Sequence, residues 1–344
     1  MTFDELLDQY EPRLAAAFRD SIEAIKSSIV LARVVERLER GDILGAVEAM
    51  ELDPEAFSGL EIALQEAFNA GGINFVEELP TKGPDGARVV WRFGVRNPEA
   101  ERILRELSST MVTHITEDQR QGVRRALEYG LARGFNPRAT ALHVVGRQNR
   151  VTGRREGGVI GLTGHQIEYI ERARVNLTSG DPRLMRQYLE LKTRDRRFDR
   201  TVLAAIRDER PVAPDILQKI IGRLNDRNLL LRGEMLARTE TMMALGSARD
   251  NAIRQQIAAG KIEAQDVTKV WRSAGDNRVR HTHRVLNGKS VGADEVFQSP
   301  SGAILRYPGD PHAPISEISG CRCRLQYKVD YIGSVVRRYR AEAA

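Results

Sequence analysis

Four side chains in the last quarter of the sequence have the chemistry of zinc ligands. They are His281, His283, Cys321 and Cys323, two imidazoles and two thiols, which are the ligand types that zinc prefers in tetrahedral sites. His312 is the other histidine of this segment and would be an alternative to His281 as the fourth ligand. These residues allow a structural zinc site, and no other cofactor is expected.

The same thiols have a second interpretation in which they bind no metal. Cysteines of zinc sites usually stand about two to four residues apart in a knuckle, whereas a single residue separates Cys321 from Cys323. On a strand their side chains would share one face, and a buried cysteine behaves as a small hydrophobic residue. The spacing therefore favours thiols that pack against Trp271 and Phe297 over thiols that bind zinc.

Catalysis is a further interpretation of this segment. His281 and His283 would supply a general base and metal ligands for a hydrolase. Asp276 and Asp310 would complete such a site, but Asp276 would instead form a salt-bridged turn with the arginines of Arg278–Arg280. The sequence contains no nucleophile elbow, phosphate-binding glycine loop or HExxH motif. We therefore predict that the protein is not an enzyme, and the alternative is a metal-dependent nuclease or toxin-like enzyme.

Arg238 and Glu240 are a second charged pair with a chemical interpretation. An arginine and a glutamate at such spacing would suit an active site for ADP-ribosyl transfer. Residues two apart on a helix do not face each other, however, so each charge would pair with a different segment. We expect Arg238 and Glu240 to be polar anchors of the structure.

Turn-forming residues are expected to position the candidate ligands. Asn287 and Gly288 predict a β-hairpin, because both residue types tolerate the positive φ that a type I′ turn requires. This hairpin would join the segment that carries His283 to the following strand. Pro308, Gly309 and Asp310 lie in a turn-dense stretch that predicts a rigid, irregular loop.

Helices are predicted over most of the rest of the chain. Apolar residues from Phe3 onward step by three or four, the spacing of an amphipathic helix, and a long helix is expected from near Asn228 to Ala259, ended by Gly260. Capping side chains followed by proline or acidic residues predict further helix starts. These caps are Asn97, Thr116, Asn136 and Asp181.

The expected fold class is mainly α-helical with a small C-terminal α+β module. Residues 1–109 would form an acidic helical region for docking, with a β-hairpin in which 73–79 and 87–95 flank a turn at 84–86. A helical domain would follow at 110–264, and the α+β module at 265–331. Residues 332–344 would form a basic tail.

Charge is distributed unevenly along the chain. Residues 1–70 hold 6 Arg and Lys against 15 Asp and Glu, a net charge of −9; the whole chain carries +6, so the remainder carries +15. Such a basic surface is compatible with double-stranded DNA, because phosphate neutralisation needs only clustered Lys and Arg. The Gly- and Arg-rich segment 147–158 is the best candidate for a flexible basic loop. No leader peptide or membrane-spanning run is expected, and two cysteines suggest synthesis in a reducing cytoplasm.

Four blocks of the sequence, in order and spacing, resemble the Mu F-like phage head morphogenesis proteins, a family of minor head (minor capsid) proteins. The most specific block runs from Trp271 to Cys323. The others are Leu236–Thr241, a block within 160–200 and a block within 115–138. Together they cover about residues 110–330.

This resemblance implies a minor head protein of a tailed phage or prophage. Such a protein would associate with the portal protein and with a major capsid or scaffold protein, and would act in head assembly or on packaged double-stranded DNA. It would be made in the bacterial cytoplasm and would reside in the virion or procapsid interior, with no membrane contact. Within the family pattern His283, Cys321 and Cys323 are motif positions, whereas His281 is not.

Overall fold

The computed structural model describes residues 1–81, 88–330, 333, 336–337 and 339–340. It confirms the expected fold class, mainly α-helical with a small α+β module in the C-terminal region. The α-helices are α1 (Phe3–Ser28), α2 (Leu31–Glu39), α3 (Ile43–Glu48), α4 (Ser58–Glu78), α5 (Pro98–Ala132), α6 (Pro137–Val145), α7 (Gly164–Thr178), α8 (Pro182–Glu190), α9 (Asp199–Arg207), α10 (Pro214–Ala258), α11 (His281–Leu286) and α12 (Ile315–Ile318). The strands are β1 (Arg147–Gln148), β2 (Arg155–Glu156), β3 (Val267–Arg272), β4 (Ser290–Gly292), β5 (Phe297–Gln298), β6 (Ile304–Leu305) and β7 (Arg324–Val329).

Local sequence signals account for most helix starts. Asn97 accepts a hydrogen bond from the backbone N–H of Glu99, and Asn136 and Asp181 cap α6 and α8 in the same way. Thr116 is an exception, because it lies inside α5 and caps nothing. The apolar stripe on either side of it, which includes the buried Met111 and Ile115, continues the helix through this position.

The predicted strand at 73–79 is wrong, because residues 73–78 are the last turns of α4. Phe75, Val76 and Leu79 pack into a buried cluster with Trp91 and Ile253, among others. This packing favours helix over the period-two pattern of the local sequence, since tertiary contacts override weak strand propensity. The turn predicted at 84–86 lies outside the described residues.

The long helix α10 begins at Pro214, earlier than expected, and ends at Ala258. Gly260 follows it with φ of +66°, the left-handed conformation in which glycine commonly ends helices. This helix carries Arg238 and Glu240 and forms one wall of the α+β module.

The α+β module is built on a three-stranded antiparallel sheet in the order β4-β3-β7. In this sheet Trp271 lies opposite Leu325, and Lys269 lies opposite both Val291 and Tyr327. A second, two-stranded sheet pairs Phe297 with Leu305 in β5 and β6. The central strand β3 places the Trp271 side chain in the core of the module.

The described chain divides into two compact units that interleave along the sequence. The first unit comprises residues 1–15, 60–111 and 234–344, and the second comprises 16–59 and 112–233. Neither unit coincides with one of the four segments predicted above, because the first unit joins N-terminal residues to the α+β module.

Among the described residues, no helix is both long enough and apolar enough to cross a lipid bilayer.

Candidate functional site

Three of the four predicted ligands meet in the first unit. His283 projects from α11, and Cys321 and Cys323 stand in the irregular segment before β7. The Nδ1 atom of His283 lies 3.5 Å from the Sγ atom of each cysteine. One ligand atom from each of the three residues lies within 4.8 Å of the others, and all three side chains are buried. We call this group the His283 cluster.

The other nitrogen of His283 faces a carboxylate. Its Nε2 atom lies 3.0 Å from Oε2 of Glu317, within ion-pair distance but without hydrogen-bond alignment. Glu317 accepts hydrogen bonds from Ser301 at 2.6 Å and Thr282 at 2.9 Å. Burial opposes ionisation of Glu317, but these two hydrogen bonds, together with the nearby His283 and Arg280, outweigh it and lower the pKa of Glu317. The charged carboxylate favours a proton on Nε2, which leaves the Nδ1 lone pair facing the thiols.

Aromatic rings enclose the His283 cluster. Trp271 is fully buried, and its ring centroid lies 5.0 Å from that of His283 and 5.2 Å from that of Phe297, with edge-to-face geometry in both pairs. Phe297 thus packs against Trp271, and its packing against the thiols stays a prediction. The cluster is buried, and polar contacts there are strengthened by the low local dielectric.

The two thiols are electronically different. The hydrogen bond between the two thiols raises the pKa of Cys321 and lowers the pKa of Cys323. Because the thiolate and not the thiol binds metals, Cys323 is the better ligand of the two for a soft or borderline metal ion.

Backbone contacts hold the segment that carries the cysteines. The guanidinium of Arg280 donates to the carbonyl oxygens of Glu317 and Ser319. The backbone N–H of Gly320 donates to Oγ1 of Thr239 on α10 at 3.0 Å. These bonds fix the approach to Cys321 from two directions, so the cluster rests on rigid supports.

Two of the predicted ligands lie elsewhere. His281 is at the first position of α11 and exposed, and His312 is also exposed. Among the described residues, neither belongs to the group of potential ligands around His283. On α11, positions 281 and 283 are two apart and point in different directions, so His281 as a fourth ligand is not supported by the geometry.

The hairpin predicted at Asn287 and Gly288 is wrong, because the residues before it form α11 and not a strand. Asn287 has φ of −57° and ψ of 126°, and Gly288 has φ of +82°. The backbone N–H of Lys289 bonds to the carbonyl oxygen of Leu286 at 3.0 Å. These features describe a type II turn, which needs glycine only at its third position, and the turn leads from α11 into β4. The cysteines likewise precede β7 instead of lying on it.

The other charged residues predicted here have structural partners. Asp276 pairs with Arg322 and lies 3.4 Å from Arg278, so the expected salt-bridged turn is present. Asp310 accepts hydrogen bonds from the backbone and side chain of Arg306 at 2.8 and 3.0 Å. In the described part of the chain these carboxylates face arginines and do not belong to the His283 cluster.

The loop that contains Pro308 and Gly309 packs against α10. A Cβ atom on Gly309, whose φ is +78°, would lie 3.2 Å from backbone atoms of Met242. A Cβ atom on Gly246 of α10 would lie 2.9 Å from the carbonyl oxygen of Pro308. The two glycines thus allow the loop and the helix to approach closely, because neither carries a Cβ atom. The loop is therefore packed firmly against α10.

Arg238 and Glu240 on α10 have separate environments, as expected for residues two apart. Arg238 forms a two-pronged ion pair with Glu11 of α1, with distances of 3.0 to 3.2 Å. The Oε2 atom of Glu240 is buried without a hydrogen-bond partner, and burial raises the pKa of Glu240 to about 7. Arg238 therefore anchors α1 to α10, whereas Glu240 is a partly neutral carboxyl group at pH 7.

Sequence reasoning missed a buried charged group in the second unit. The Nε2 atom of His143 lies 2.9 Å from Oε1 of Glu171, and Arg174 contacts both residues. Since arginine can only donate, Nδ1 of His143 accepts and its proton resides on Nε2. His143 and Arg174 line a cavity of about 780 Å³. Glu171 and Arg174 have the i,i+3 spacing of a helical ion pair, which could have been found from the sequence. His143 comes from another helix, and no local spacing in the sequence points to its association with them.

Comparison with known proteins identifies relatives of the segment that contains the His283 cluster. Residues 215–326 match the family described as Phage Mu protein F like protein. The Minor head protein GP7 of Bacillus phage SPP1 is 36% identical over 111 residues, which are 32% of this chain and 34% of that protein. An uncharacterized protein, YqbB, of Bacillus subtilis (strain 168) is 33% identical over 102 residues, 29% of this chain and 31% of that protein. The matched segment spans about a third of the length of these relatives, and no solved structure matches the chain.

Proposed function

We propose that this protein is a minor head protein of a tailed phage or prophage and acts in head morphogenesis, because residues 215–326 match the family described as Phage Mu protein F like protein. The observation that carries the proposal is the family match, which includes α10, the sheet β4-β3-β7 and the His283 cluster. Similarity to a minor head protein of phage SPP1 supports it further. The proposed role is structural, with no turnover of a substrate.

The proposed partners are the portal protein and a major capsid or scaffold protein. The protein would be made in the host cytoplasm and incorporated into the procapsid interior. The acidic segment 1–70, with a net charge of −9, supports docking on a basic protein surface, because complementary charge steers association. The basic remainder supports proximity to packaged DNA.

Incorporation into particles is the decisive test of the proposed function. Particles of the phage or prophage that encodes this chain are purified, and quantitative mass spectrometry counts this protein against the portal subunit. We expect a fixed, low copy number and co-purification with the portal protein from procapsids. Absence from particles that contain the portal would overturn the assignment. The Arg238→Ala variant removes the ion pair with Glu11. Its copy number in particles tests whether residues 1–15 must be held in place for incorporation.

Direct contact with DNA is proposed for the hairpin of β1 and β2. The segment 147–158, expected to be a flexible loop, forms this hairpin, and its turn is held by hydrogen bonds from the backbone N–H groups of Val151 and Thr152 to Oδ1 of Asn149. Arg147, Arg150 and Arg154 on it are exposed. Three exposed guanidinium groups on a short hairpin form a local site for phosphate contacts.

Replacing these three arginines by alanine should weaken DNA binding and reduce its salt dependence. Each lost phosphate contact lowers the slope of log K against log salt by about 0.9, so a reduction of about 2 to 3 is expected. Binding to a duplex is measured by fluorescence anisotropy at several salt concentrations. Arg183→Ala with Arg186→Ala, two exposed arginines of α8, is the matched control. An unchanged slope in the triple variant would exclude the hairpin as the contact.

A metal-dependent nuclease is the alternative function, and the three potential metal ligands of the His283 cluster are the observation in its favour. Their burial opposes it, because His283 is 1% and Cys323 1% exposed, whereas a nuclease must bring a phosphodiester to its metal. DNA cleavage by the purified protein that disappears in His283→Ala would favour the nuclease over the structural role.

A further inference from the structure

We propose that His283, Cys321 and Cys323 bind one zinc ion, and that Glu317 orients the histidine for it. The proposal does not depend on the function in head assembly, because it rests on the geometry of the His283 cluster. The sequence alone favoured packed thiols over metal ligands. The positions of the ligand atoms and the environment of Glu317 reverse that preference.

The distances in the cluster fit a zinc ion. With zinc bond lengths of about 2.3 Å to sulfur and 2.0 Å to nitrogen, a tetrahedral centre places a nitrogen and a sulfur ligand about 3.5 Å apart. The distance from Nδ1 of His283 is 3.5 Å to each of the two sulfur atoms. Both sulfur atoms thus converge on one ring nitrogen at equal distances, as the ligands of a single ion would.

The histidine is prepared for metal binding through its other nitrogen. A histidine that binds a metal ion through one nitrogen usually offers the other to a carboxylate, a carbonyl group or water, which fixes the ring and its tautomer. Glu317 is 4% exposed and lies 3.0 Å from Nε2 of His283. Its own oxygen atoms are held by Ser301 and Thr282. A buried carboxylate behind the ring directs the Nδ1 lone pair towards both sulfur atoms.

The geometry also indicates what the zinc ion would do. It would tie α11 to the segment before β7, residues that are 38 and 40 positions apart in the chain. In the described part of the chain, no further histidine, cysteine or acidic group joins the cluster, so a water molecule would be the fourth ligand. Both thiols would release their protons on binding, and metal affinity would fall as the pH is lowered. The ion would thus be a cross-link of the α+β module.

Metal content is the first test. The full chain is produced in zinc-supplemented medium, purified without chelator and analysed by plasma mass spectrometry. We expect about one zinc ion per chain, and a drop of at least about tenfold in His283→Gln and in Cys323→Ser. His281→Gln is the matched control, since His281 is two residues away, exposed and outside the cluster. A wild-type protein that carries no zinc and takes none up would overturn the proposal.

Cobalt substitution keeps the test decisive if the ligand variants fold poorly. Wild-type protein freed of metal and titrated with Co²⁺ should develop the visible bands of tetrahedral cobalt and a thiolate charge-transfer band. Glu317→Gln should bind the same ion about 10- to 100-fold more weakly, as for loss of an outer-shell partner. Cobalt bands of octahedral type without charge transfer would show that the thiols are not ligands, and equal affinity in Glu317→Gln would refute its orienting role.

Discussion

Replacing Trp271 by alanine is expected to lower the free energy of unfolding by about 3 to 5 kcal/mol, the range for removal of a buried large aromatic side chain. Trp271 is fully buried in the central strand β3 and packs edge-to-face against both His283 and Phe297. Its loss leaves a cavity that a rigid sheet cannot fill. The midpoint of urea unfolding, followed by far-ultraviolet circular dichroism, is the measurement.

Two further variants make this prediction specific. Trp271→Phe keeps a ring in the same space and should cost clearly less than the alanine variant. Ile304→Ala removes a side chain that is 60% exposed in the same module, so its effect should stay within about 0.5 kcal/mol. A cost below about 1 kcal/mol for Trp271→Ala would mean that Trp271 does not hold this core together.

The second large expected effect is that Glu240→Gln stabilises the folded protein, and that it does so only above mildly acidic pH. Burial raises the pKa of Glu240 from 4.5 to about 7 in the folded protein. Between these two values the folded state keeps a proton that the unfolded chain has already released. The folded state is therefore weakened as the pH rises from 4.5 to 7, and the full penalty applies above pH 7.

Glu240→Gln should remove this penalty, because glutamine has the shape of the neutral acid and carries no charge. At pH 8 we expect the variant to be more stable than the wild type by at most about 3 kcal/mol, from 1.36 kcal/mol per pKa unit. Near pH 4 the two proteins should have similar stability. Urea unfolding at several pH values measures this difference.

A control on the same helix isolates the buried carboxyl group. Glu234→Gln removes an exposed carboxylate of α10, so it changes the net charge by the same amount without touching a buried atom. A stability gain of Glu240→Gln that does not depend on pH would contradict titration of Glu240 as its cause. A gain that also appears in Glu234→Gln would point to net charge instead.

Much of the helical part of the fold could be predicted from local chemistry. The caps at Asn97, Asn136 and Asp181 and the stop at Gly260 are encoded in short segments, because their hydrogen bonds and backbone angles are local. Thr116 has the sequence of a cap but lies inside α5. There the buried apolar stripe of α5 continues the helix, and that stripe extends well beyond the few residues from which a helix cap is predicted.

The candidate site could be predicted in part. His283, Cys321 and Cys323 could be grouped by residue type, and the structure brings them together. Glu317 could not be identified, because its contact with a histidine 34 positions earlier depends on how α11 and α12 fold onto the sheet. The pair Asn287 and Gly288 suits both a type I′ and a type II turn, so the element before the turn, a helix, could not be inferred from it.

The interleaving of the first unit has a consequence for folding during translation, because its contacts join residues that are far apart in the chain. Phe3 contacts the guanidinium of Arg249, Glu11 pairs with Arg238, and Asp4 pairs with Arg324. During translation Phe3, Asp4 and Glu11 therefore wait for partners that are made more than 200 positions later. Contacts of such long sequence separation slow folding, since closing the intervening chain costs entropy before the contacts can form and stabilise the structure. Until residue 324 appears, Phe3, Asp4 and Glu11 lack one or more of these late partners, so this part of the first unit is exposed to misassembly while the chain is incomplete.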